Sequence, residues 1–392
     1  MRYVKIVNVD AIVCRASVEA PLWSLQPYSR GRYRLADHVE TTIVKLASND
    51  GLVGYGETPG VSFHGPKIIS IGTECKRLIE RIVAPKILGK NLLDNSIIWR
   101  RIHQALKGEP YGRLTLSGLD IALWDLIGRS LDLPIYRLLG GRYRRKIKLY
   151  ASKIPGIINL DNDEEAETLA KRLSRTVDEG YSAFKLGGGL GVEADTRSVE
   201  IARETVGEKC KIMLDAGCAY NLEDALKLGK RLEDLHVEWF EAPLHPNEMD
   251  GYVKLADRLK LKIATDVHPE PNQVIKLLVK GGVGVVLSDI TAGGGITISR
   301  KIVELTDLFN VEFSTHAGWN ITSIGYAGSA QLSAVVPNLN FQEGRIHYSD
   351  NPFGDRILMD PIRVTRGFLH VPDGPGLGVK VNEEALCQCR IP

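Results

Sequence analysis

The sequence lacks long hydrophobic runs. None of its apolar stretches reaches the roughly 18–20 residues that a membrane-spanning helix needs. Residues 1–14 also lack the basic segment, apolar stretch and small-residue cleavage site of a secretory signal, so we interpret them as a strand of the mature fold. We therefore expect a cytoplasmic protein without a membrane partner.

An excess of either charge is missing as well. The chain has 50 Lys and Arg against 48 Asp and Glu, which gives a net charge of +2. Proteins that bind nucleic acid usually concentrate basic residues on one surface. The one basic run here, from Arg142 to Lys148, is short and is better interpreted as a solvated loop before a strand. We expect no nucleic acid partner.

Cysteines are few and scattered. The six are Cys14, Cys75, Cys210, Cys218, Cys387 and Cys389. Only the last two are near neighbours, and a Cys-Gln-Cys segment is tight for a disulfide. No spacing among the six is typical of a zinc site. We expect reduced thiols, as is usual in the cytosol.

The remaining composition is that of a globular protein with ample material for a core. Hydrophobic residues make up 44% and charged residues 25% of 392 residues, a length that suits two domains. Residues 1 to about 60 are rich in β-branched residues and predict a small antiparallel sheet, and residues 66–132 predict helices. From about residue 146, short apolar strands alternate with amphipathic helices, which predicts a parallel sheet.

An ionisable residue stands at the end of each of seven successive predicted strands. They are separated by about one strand–helix unit each: Lys185, Asp215, Glu241, Asp266, Asp289, His316 and Glu343. In a parallel barrel the carboxyl ends of the strands lie at one face, and active sites are built there. We therefore expect these side chains to meet in a single pocket.

Three consecutive members of this series are carboxylates, Asp215, Glu241 and Asp266. Close together without a counter-ion they would repel one another strongly. A hard divalent cation resolves this repulsion, and Mg²⁺ with oxygen ligands is the natural choice. His268 and Glu270 lie close to Asp266 in the sequence and compete with it as ligands.

The next two members, Asp289 and His316, form a candidate catalytic pair. A carboxylate bonded to one imidazole nitrogen fixes the tautomer and raises the basicity of the other nitrogen, which suits a general base. Glu343 is either a protonated donor to a developing oxyanion or a buried salt-bridge partner. A metal beside such a base suits removal of a proton α to a carboxylate, because the metal stabilises the enediolate that forms.

Several segments resemble the enolase superfamily, specifically the mandelate racemase and muconate lactonizing enzyme family. These segments extend over nearly the whole chain: GLVGYGET (51–58), SGLDIALWDLIGRSLDLPIYRLLGG (117–141), MLDAG (213–217), WFEAP (239–243), SDITAGGGIT (288–297), STHAG (314–318) and PGLGVKV (375–381). The resemblance implies an α/β fold, a modified TIM barrel with an α+β capping domain. We place the capping domain at 1–132, the barrel at 133–350, and a C-terminal segment that returns to the cap at 351–392.

The resemblance also implies roles for individual residues. It implies one Mg²⁺ per subunit on Asp215, Glu241 and Asp266, a pair of His316 with Asp289, and Lys185 and Glu343 near the substrate carboxylate. Two loops of the cap, around residues 23–32 and 62–67, would contribute specificity. Candidate substrate contacts are Trp23, Tyr28, His64, Lys185 and His268; a solvent-facing role for His64 is equally open.

Three departures from the family pattern bear on the reaction. Racemases of the family carry Lys-x-Lys on the second barrel strand, whereas here Gly187 replaces the second lysine. Many acid-sugar dehydratases have Gly-Glu where this chain has Asp266-Val267, so the register of the third ligand is open by a residue. Some also place a histidine acid where this chain has Gly217. The acid that protonates the leaving hydroxide is therefore open among four candidates: His316, Lys185, Tyr220 and His268.

With His316 as the only base, the resemblance favours a dehydratase that converts a small sugar acid into a 2-keto-3-deoxy acid. By the same resemblance, the histidine side serves 2R-hydroxy acids and the lysine side serves 2S. A racemase or epimerase that uses Lys185 as a second base is one alternative. A sugar-acid binding protein without catalytic activity is another, because fold alone does not define function. We expect a homo-oligomer, from dimer to octamer.

Overall fold

The structure is a computed structural model. It describes residues 4–24, 34–64, 67–157, 159–265, 270–317, 321–344, 353 and 355–391. For residues 18–24, 34–37, 62–64, 67, 68 and 153 it describes the backbone but not the side chains. None of the helices in these ranges is long and apolar enough to cross a membrane.

An antiparallel sheet opens the chain. Its three strands pair in chain order and are β1 (Ile6–Ser24), β2 (Arg34–Ser48) and β3 (Val53–Pro59). The β2–β3 connection is an Asn49-Asp50-Gly51 turn, where Gly51 has a φ of 85°, a conformation that costs glycine little. A hairpin of β4 (Val61–His64) and β5 (Lys67–Ser70) follows.

Helical segments follow the sheet, and several of them pack against it. They are α1 (Gly72–Arg77), a π-helical stretch (Leu78–Val83), α2 (Ala84–Ile87), α3 (Asn95–Leu106), α4 (Gly112–Leu131) and α5 (Ile135–Leu138). The contact between α4 and β3 is made backbone against backbone: a Cβ on Gly56 would lie 1.9 Å from the carbonyl oxygen of Gly118, and a Cβ on Gly54 would lie 2.5 Å from that of Ala122. Larger side chains at these positions would push the helix off the strand.

Strand–helix alternation begins at residue 146, as the sequence predicts. The parallel strands are β6 (Lys146–Pro155), β7 (Ala183–Gly187), β8 (Lys211–Asp215), β9 (Trp239–Glu241), β10 (Lys262–Ala264), β11 (Val285–Ser288), β12 (Glu312–Thr315) and β13 (Leu339–Gly344). They pair in chain order, and β13 also pairs with β6. This last pairing closes the sheet into a barrel of eight strands within the described chain, and the predicted fold class is confirmed.

Helices follow seven of these strands in the described ranges. They are α6 (Asp163–Asp178), α7 (Val192–Val206), α8 (Leu222–Asp234), α9 (Met249–Arg258), α10 (Pro271–Lys280), α11 (Gly295–Leu308) and α12 (Ser323–Ala334). In α6, Asn162 caps the first turn by accepting from the Glu164 N–H, and the stripe that contains Leu169 and Leu173 is buried. Gly180, with a φ of 92°, follows the end of this helix.

The C-terminal segment runs back along the molecule. A short pair of strands, β14 (Val364–Thr365) and β15 (Phe368–His370), adds to β6 in the antiparallel sense. Helix α13 (Glu383–Cys389) then packs on β1, where Glu383 accepts from Lys45 at 2.8 Å. The backbone N–H of Ile391 donates to the carbonyl of Val13 at 2.9 Å. The tail therefore contacts the N-terminal sheet.

Candidate active site

An apolar layer fills the interior of the barrel just below the site. Its buried members are Tyr150, Ala183, Met213, Trp239, Ala264, Val285, Leu287 and Phe341. Side chains two residues apart on a strand point to the same face. The residues two positions beyond Ala183, Met213, Trp239 and Phe341 are Lys185, Asp215, Glu241 and Glu343, so each points inward directly above the layer.

Lys185 lies against carboxylates on the next two strands, β8 and β9. Its Nζ lies 3.0 and 3.1 Å from the two oxygens of Glu241 and 3.4 Å from Oδ2 of Asp215. Burial lowers the pKa of Lys185, but the charges of the facing carboxylates, Glu241 first, raise it by more, to well above its usual value. The lysine is therefore a buried ammonium that partly neutralises these acids.

One lysine does not fully offset the two carboxylates. Burial and the charge of Asp215 raise the pKa of Glu241 to about 8, although Lys185 opposes this shift. The indole N–H of Trp239 donates to Glu241 at 3.3 Å, and the backbone N–H of Gly217 donates to Asp215 at 3.0 Å. Two hard oxygen donors side by side, with one disfavoured as an anion, are a donor set that fits a divalent cation.

His316 follows β12 and is bonded through one ring nitrogen to Asp289, which follows β11. The distance from Nδ1 of His316 to Oδ2 of Asp289 is 2.8 Å. The other oxygen of Asp289 accepts from the backbone N–H and the hydroxyl of Thr291, at 2.7 and 2.6 Å. Because these bonds fix the carboxylate, it orients the imidazole ring, whose Nε2 faces Glu343.

Glu343 lies against that second nitrogen. Nε2 of His316 is 3.0 Å from Oε2 of Glu343, which also accepts from the backbone N–H of Ala317 at 2.9 Å. Burial lowers the pKa of His316, but the charge of Glu343 and the bond to Asp289 raise it by more, to about 10. Burial raises the pKa of Glu343, but His316 and Lys185 lower it by more, to well below its usual range.

These contacts form one connected network. Oε1 of Glu343 lies 3.9 Å from Nζ of Lys185, which joins the imidazole half to the carboxylate half. Six of the seven ionisable strand-end residues predicted from the sequence thus come together in the described structure. The seventh, Asp266, and His268 lie outside the described residues, as does Tyr28; Trp23 and His64 are described only in their backbone.

Glu270, which competes with Asp266 as a metal ligand in the sequence, has another role. Its carboxylate caps the first turn of α10 in a reciprocal arrangement with Gln273. It also pairs with Arg113 of the cap at 2.5 Å. Because its oxygens are engaged at the helix start, the structure argues against Glu270 as a ligand.

Tyr220, one candidate for the acid, is engaged away from the network. Its hydroxyl donates to the buried Asp195 at 2.5 Å and accepts from the backbone N–H of Gly191 at 3.2 Å. Burial, and then the adjacent charge of Asp195, raise the pKa of Tyr220 well above its usual value. The same carboxylate accepts from the N–H groups of Gly189 and Leu190, so this cluster shapes the loop after β7.

Sequence reasoning missed two aromatic residues beside the site. The Tyr150 ring lies 5.4 Å from Nζ of Lys185, and Trp239 meets Tyr150 edge to face at 5.7 Å. Both rings belong to the inner layer. The signal for them was present, because Trp239 stands two residues before Glu241 and so shares its face of the strand.

Two family models match the chain with this fold and site. One, described as mandelate racemase/muconate lactonizing enzyme, N-terminal domain, matches residues 14–140. The other, described as enolase C-terminal domain-like, matches residues 168–385, more than half of the chain. The chain belongs to the mandelate racemase/muconate lactonizing enzyme family of the enolase superfamily. The predicted resemblance is confirmed.

Two similar proteins that match most of the chain are named as enzymes. D-Galactarolactone cycloisomerase from Agrobacterium fabrum is 29% identical over 360 residues, which cover 89% of this chain and 91% of that protein. Arabinonate dehydratase from Saccharolobus solfataricus is also 29% identical, over 89% of this chain and 90% of its own. The predicted class of enzyme, a hydro-lyase of this superfamily, agrees with the second name.

A solved structure matches along the full length. The crystal structure of 3,6-anhydro-D-galactonate cycloisomerase from Zobellia galactanivorans has a TM-score of 0.81 and 26% identity, and the match covers 99% of this chain and 100% of that one. The cap and barrel of the present chain are therefore those of a family enzyme.

Proposed function

We propose that this protein is a Mg²⁺-dependent enzyme that removes the proton α to the carboxylate of a sugar acid and eliminates water, giving a 2-keto-3-deoxy acid. The observation that supports this most is the single network in which His316, aligned by Asp289, shares a pocket with the Asp215–Glu241 pair. A base and a cation site side by side are what α-proton removal needs.

The metal would be held by Asp215, Glu241 and Asp266. Alternation on the strands supports the third ligand, because Ala264 belongs to the same inner layer as Met213 and Trp239 and Asp266 is two residues further on. When bound, the cation would polarise the substrate carboxylate and so make the α-proton more acidic. Lys185 would keep the ligand carboxylates charged and aligned from below.

His316 would be the base, and its partner Glu343 explains how it becomes one. In the ligand-free pair, 3.0 Å apart, the raised pKa of His316 and the lowered pKa of Glu343 favour an imidazolium beside a carboxylate. Transfer of one proton from Nε2 to Glu343 gives a neutral base and a protonated acid without any change in proton count. Substrate oxygens beside Glu343 would favour that state, because the protonated acid can then donate to them.

The same imidazole would also serve the leaving group. The base takes the proton of C2, the C3–O bond breaks, and the proton passes from Nε2 to the departing hydroxide to form water; the enol then becomes the 2-keto acid. Other candidates are less suited, because Tyr220 is bonded to Asp195 and Lys185 to two carboxylates. Gly187 offers no second base, which argues against racemisation.

The experiment is a screen of aldonic and aldaric acids with Mg²⁺, read by formation of a 2-keto acid. D-Gluconate and D-galactonate are the first substrates. We expect product from wild-type protein and none from His316→Asn. Keto-acid formation that survives in that variant, or C2 deuterium exchange without elimination from every acid tested, would contradict the dehydratase proposal.

A second candidate is ring opening of a sugar-acid lactone, and the engagement of the candidate acids favours it. Among the described residues, Tyr220 is bonded to Asp195 and Lys185 to carboxylates, and position 217 is glycine. In some lactones the ring oxygen is attached to the carbon β to the free carboxylate. When that carbon–oxygen bond breaks, the leaving group is the carboxylate of the former ester, which needs no proton. The name of one similar protein, D-galactarolactone cycloisomerase, agrees with such a substrate.

Product mass separates the two candidates. Ring opening is an isomerisation, so the product has the mass of the substrate, whereas dehydration removes one water. We would incubate the enzyme with sugar-acid lactones and with the open acids, and measure product mass. Turnover of lactones only, at unchanged mass, would replace the dehydratase proposal with the cycloisomerase.

A further inference from the structure

A buried carboxylate of the cap lies at the start of α12. Glu57, on β3, is fully buried. It accepts from the backbone N–H of Thr322 at 2.6 Å, from the Thr322 hydroxyl at 2.8 Å and from the backbone N–H of Gly325 at 2.8 Å. The hydroxyl of Thr41 donates to it at 2.6 Å. All of these partners are uncharged donors, and the helix N-terminus supplies the compensating positive potential.

A second buried carboxylate lies at the start of α11. Asp120, on α4, accepts from the backbone N–H of Thr297 at 2.8 Å and from its hydroxyl at 2.7 Å. One turn earlier on α4, the hydroxyl oxygen of Ser117 accepts from the backbone N–H of Gly294 at 2.8 Å. The cap is thus hydrogen-bonded to the first turns of two successive barrel helices, α11 and α12.

A glycine in each first turn makes room for the carboxylate. A Cβ on Gly295 would lie 2.3 Å from Oδ2 of Asp120, and a Cβ on Gly325 would lie 2.8 Å from Oε2 of Glu57. Real Cβ atoms do not approach oxygen so closely at the first of these distances. Both helices are therefore built to receive a cap carboxylate.

These two helices are the ones that follow the candidate catalytic loops. Asp289 precedes α11, and the backbone between them is buried and hydrogen-bonded to itself: Gly293 donates to the carbonyl of Asp289 at 2.6 Å. His316 precedes α12. Since β3 and α4 pack backbone against backbone, this packing fixes the positions of Glu57 and Asp120 relative to each other.

From this arrangement we infer that Glu57 and Asp120 are positioning residues, which align His316 with Asp289 by fixing the starts of the two helices from the cap. Buried carboxylates cost desolvation energy, and apolar side chains would dock a cap more cheaply. Hydrogen bonds between specific donors and acceptors, in contrast, define one position of the cap relative to the barrel helices. The catalytic part of this inference rests on the proposed function, but the geometric part does not.

The test compares Glu57→Gln and Asp120→Asn with Asp125→Asn. Each test variant replaces a carboxylate, whose two oxygens only accept, by an amide. The NH₂ group of the amide then faces N–H donors at the helix start and cannot accept from them. Asp125 is the control: it is equally buried on α4, and it accepts from the backbone of Tyr55 and Leu377 and from Arg129, away from the first turns of α11 and α12.

The first readout needs no substrate. In ¹⁵N-histidine-labelled, EDTA-treated protein, the Nδ1–H signal of His316 is assigned by its loss in His316→Asn. We expect both test variants to shift or broaden this signal and Asp125→Asn to leave it in place. An unmoved signal in both test variants would overturn the inference. If either variant fails to fold, Thr297→Val, which removes one donor to Asp120, is measured instead.

The second readout uses whichever sugar acid is turned over. We expect kcat for C2 deuterium exchange to fall about ten-fold or more in the test variants with KM nearly unchanged, and Asp125→Asn to retain the wild-type kcat. Loss of thermal stability alone, with kcat retained, would leave only a structural role and would also overturn the inference. If no acid is turned over, the proposed function fails, while the histidine signal still decides the positioning role.

Discussion

His316 is the residue on which the proposed chemistry depends, and it is held from both sides. Asp289 is bonded to Nδ1 at 2.8 Å, and Glu343 lies against Nε2 at 3.0 Å. The first contact sets the orientation of the ring, and the second sets where its proton resides. Without Asp289 the tautomer of the ring would not be fixed, and without Glu343 the proton on Nε2 would have no partner.

Removal of the imidazole should therefore abolish the reaction. We expect His316→Asn to lower both C2 deuterium exchange and product formation by about two to four orders of magnitude. Asp289→Asn should be milder but still severe, because the ring stays and loses its alignment. The rates are measured in D₂O by mass spectrometry. Exchange that persists in His316→Asn would assign the base to Lys185.

The same residue predicts how stability depends on pH. The folded pKa of His316, about 10, lies above its ordinary value of 6.5 because of Glu343 and Asp289. A raised pKa means that the bound proton stabilises the fold fully below pH 6.5 and that this contribution is lost as pH rises through 10. Urea unfolding of metal-free protein at about pH 6, 8 and 10 should show this decline, and His316→Asn should lack it. Parallel curves for the two proteins would contradict the expectation.

At the scale of single elements, the end of β7 is the part that departs from the racemase pattern. Gly187 pairs with Asp215 in the sheet, so a side chain there would stand beside the site. The following loop is fixed by Asp195 and Tyr220 rather than by contact with the network. The strand thus presents Lys185 below the carboxylates and no base opposite His316.

The missing side chain predicts one-sided stereochemistry. A sugar acid with the 2R configuration, such as D-gluconate, should turn over, whereas its 2S epimer should bind through the same carboxylate contacts and act as a competitive inhibitor. Turnover of the two epimers under identical conditions is the measurement. Efficient elimination from the 2S epimer would show that Lys185 moves into the space beside Gly187 and acts as a second base.

The loop after β7 predicts a contrast between stability and rate. Tyr220→Phe removes the hydroxyl that donates to Asp195, and this should cost about 1–3 kcal/mol of unfolding free energy. Because that hydroxyl is engaged away from the network, kcat should stay within a few-fold of wild type. A loss of several orders of magnitude in kcat, with stability retained, would instead identify Tyr220 as the acid.

The elements also show where periodicity misleads. The apolar spacing in residues 116–127 predicts one buried helical face, whereas α4 is buried on nearly all sides. Its polar residues Asp120 and Asp125 are buried too, because each accepts backbone N–H groups from a neighbouring segment. Periodicity identifies the first packing surface of a helix but gives no sign that a second domain will cover the rest.

For the molecule as a whole, strand alternation carries most of the information that the sequence makes available. The barrel could be predicted because strands and helices alternate regularly along the chain. Six of the strand-end residues could be predicted because they recur about once in each strand–helix unit and because every second side chain of a strand shares a face. The cap contacts could not, since Glu57 and Thr322 are far apart in sequence and no local pattern relates a carboxylate to a distant helix start. The ion pair of His316 with Glu343 was one of two open roles, and geometry was needed to show the contact.

A prediction that concerns the whole molecule is metal dependence, because the proposed metal site needs ligands from separate strands. EDTA should abolish turnover and Mg²⁺ should restore it. Asp215→Asn and Glu241→Gln should each weaken Mg²⁺ binding, measured by calorimetry, as well as lower the rate. Glu270→Gln is the control: it alters a helix cap and should leave Mg²⁺ binding unchanged. Full activity of metal-free protein would contradict the mechanism.

The bond between Ile391 and Val13 has a consequence for the synthesis of the chain. The first strand leaves the ribosome early, and the segment that bonds to its edge is translated much later. At ordinary elongation rates this interval is roughly 20 to 80 s, during which the edge of β1 lacks that partner. Barrel closure waits similarly, because β6 must pair with β13. A nascent chain therefore has neither a closed barrel nor Glu343 of the candidate site until β13 has left the ribosome.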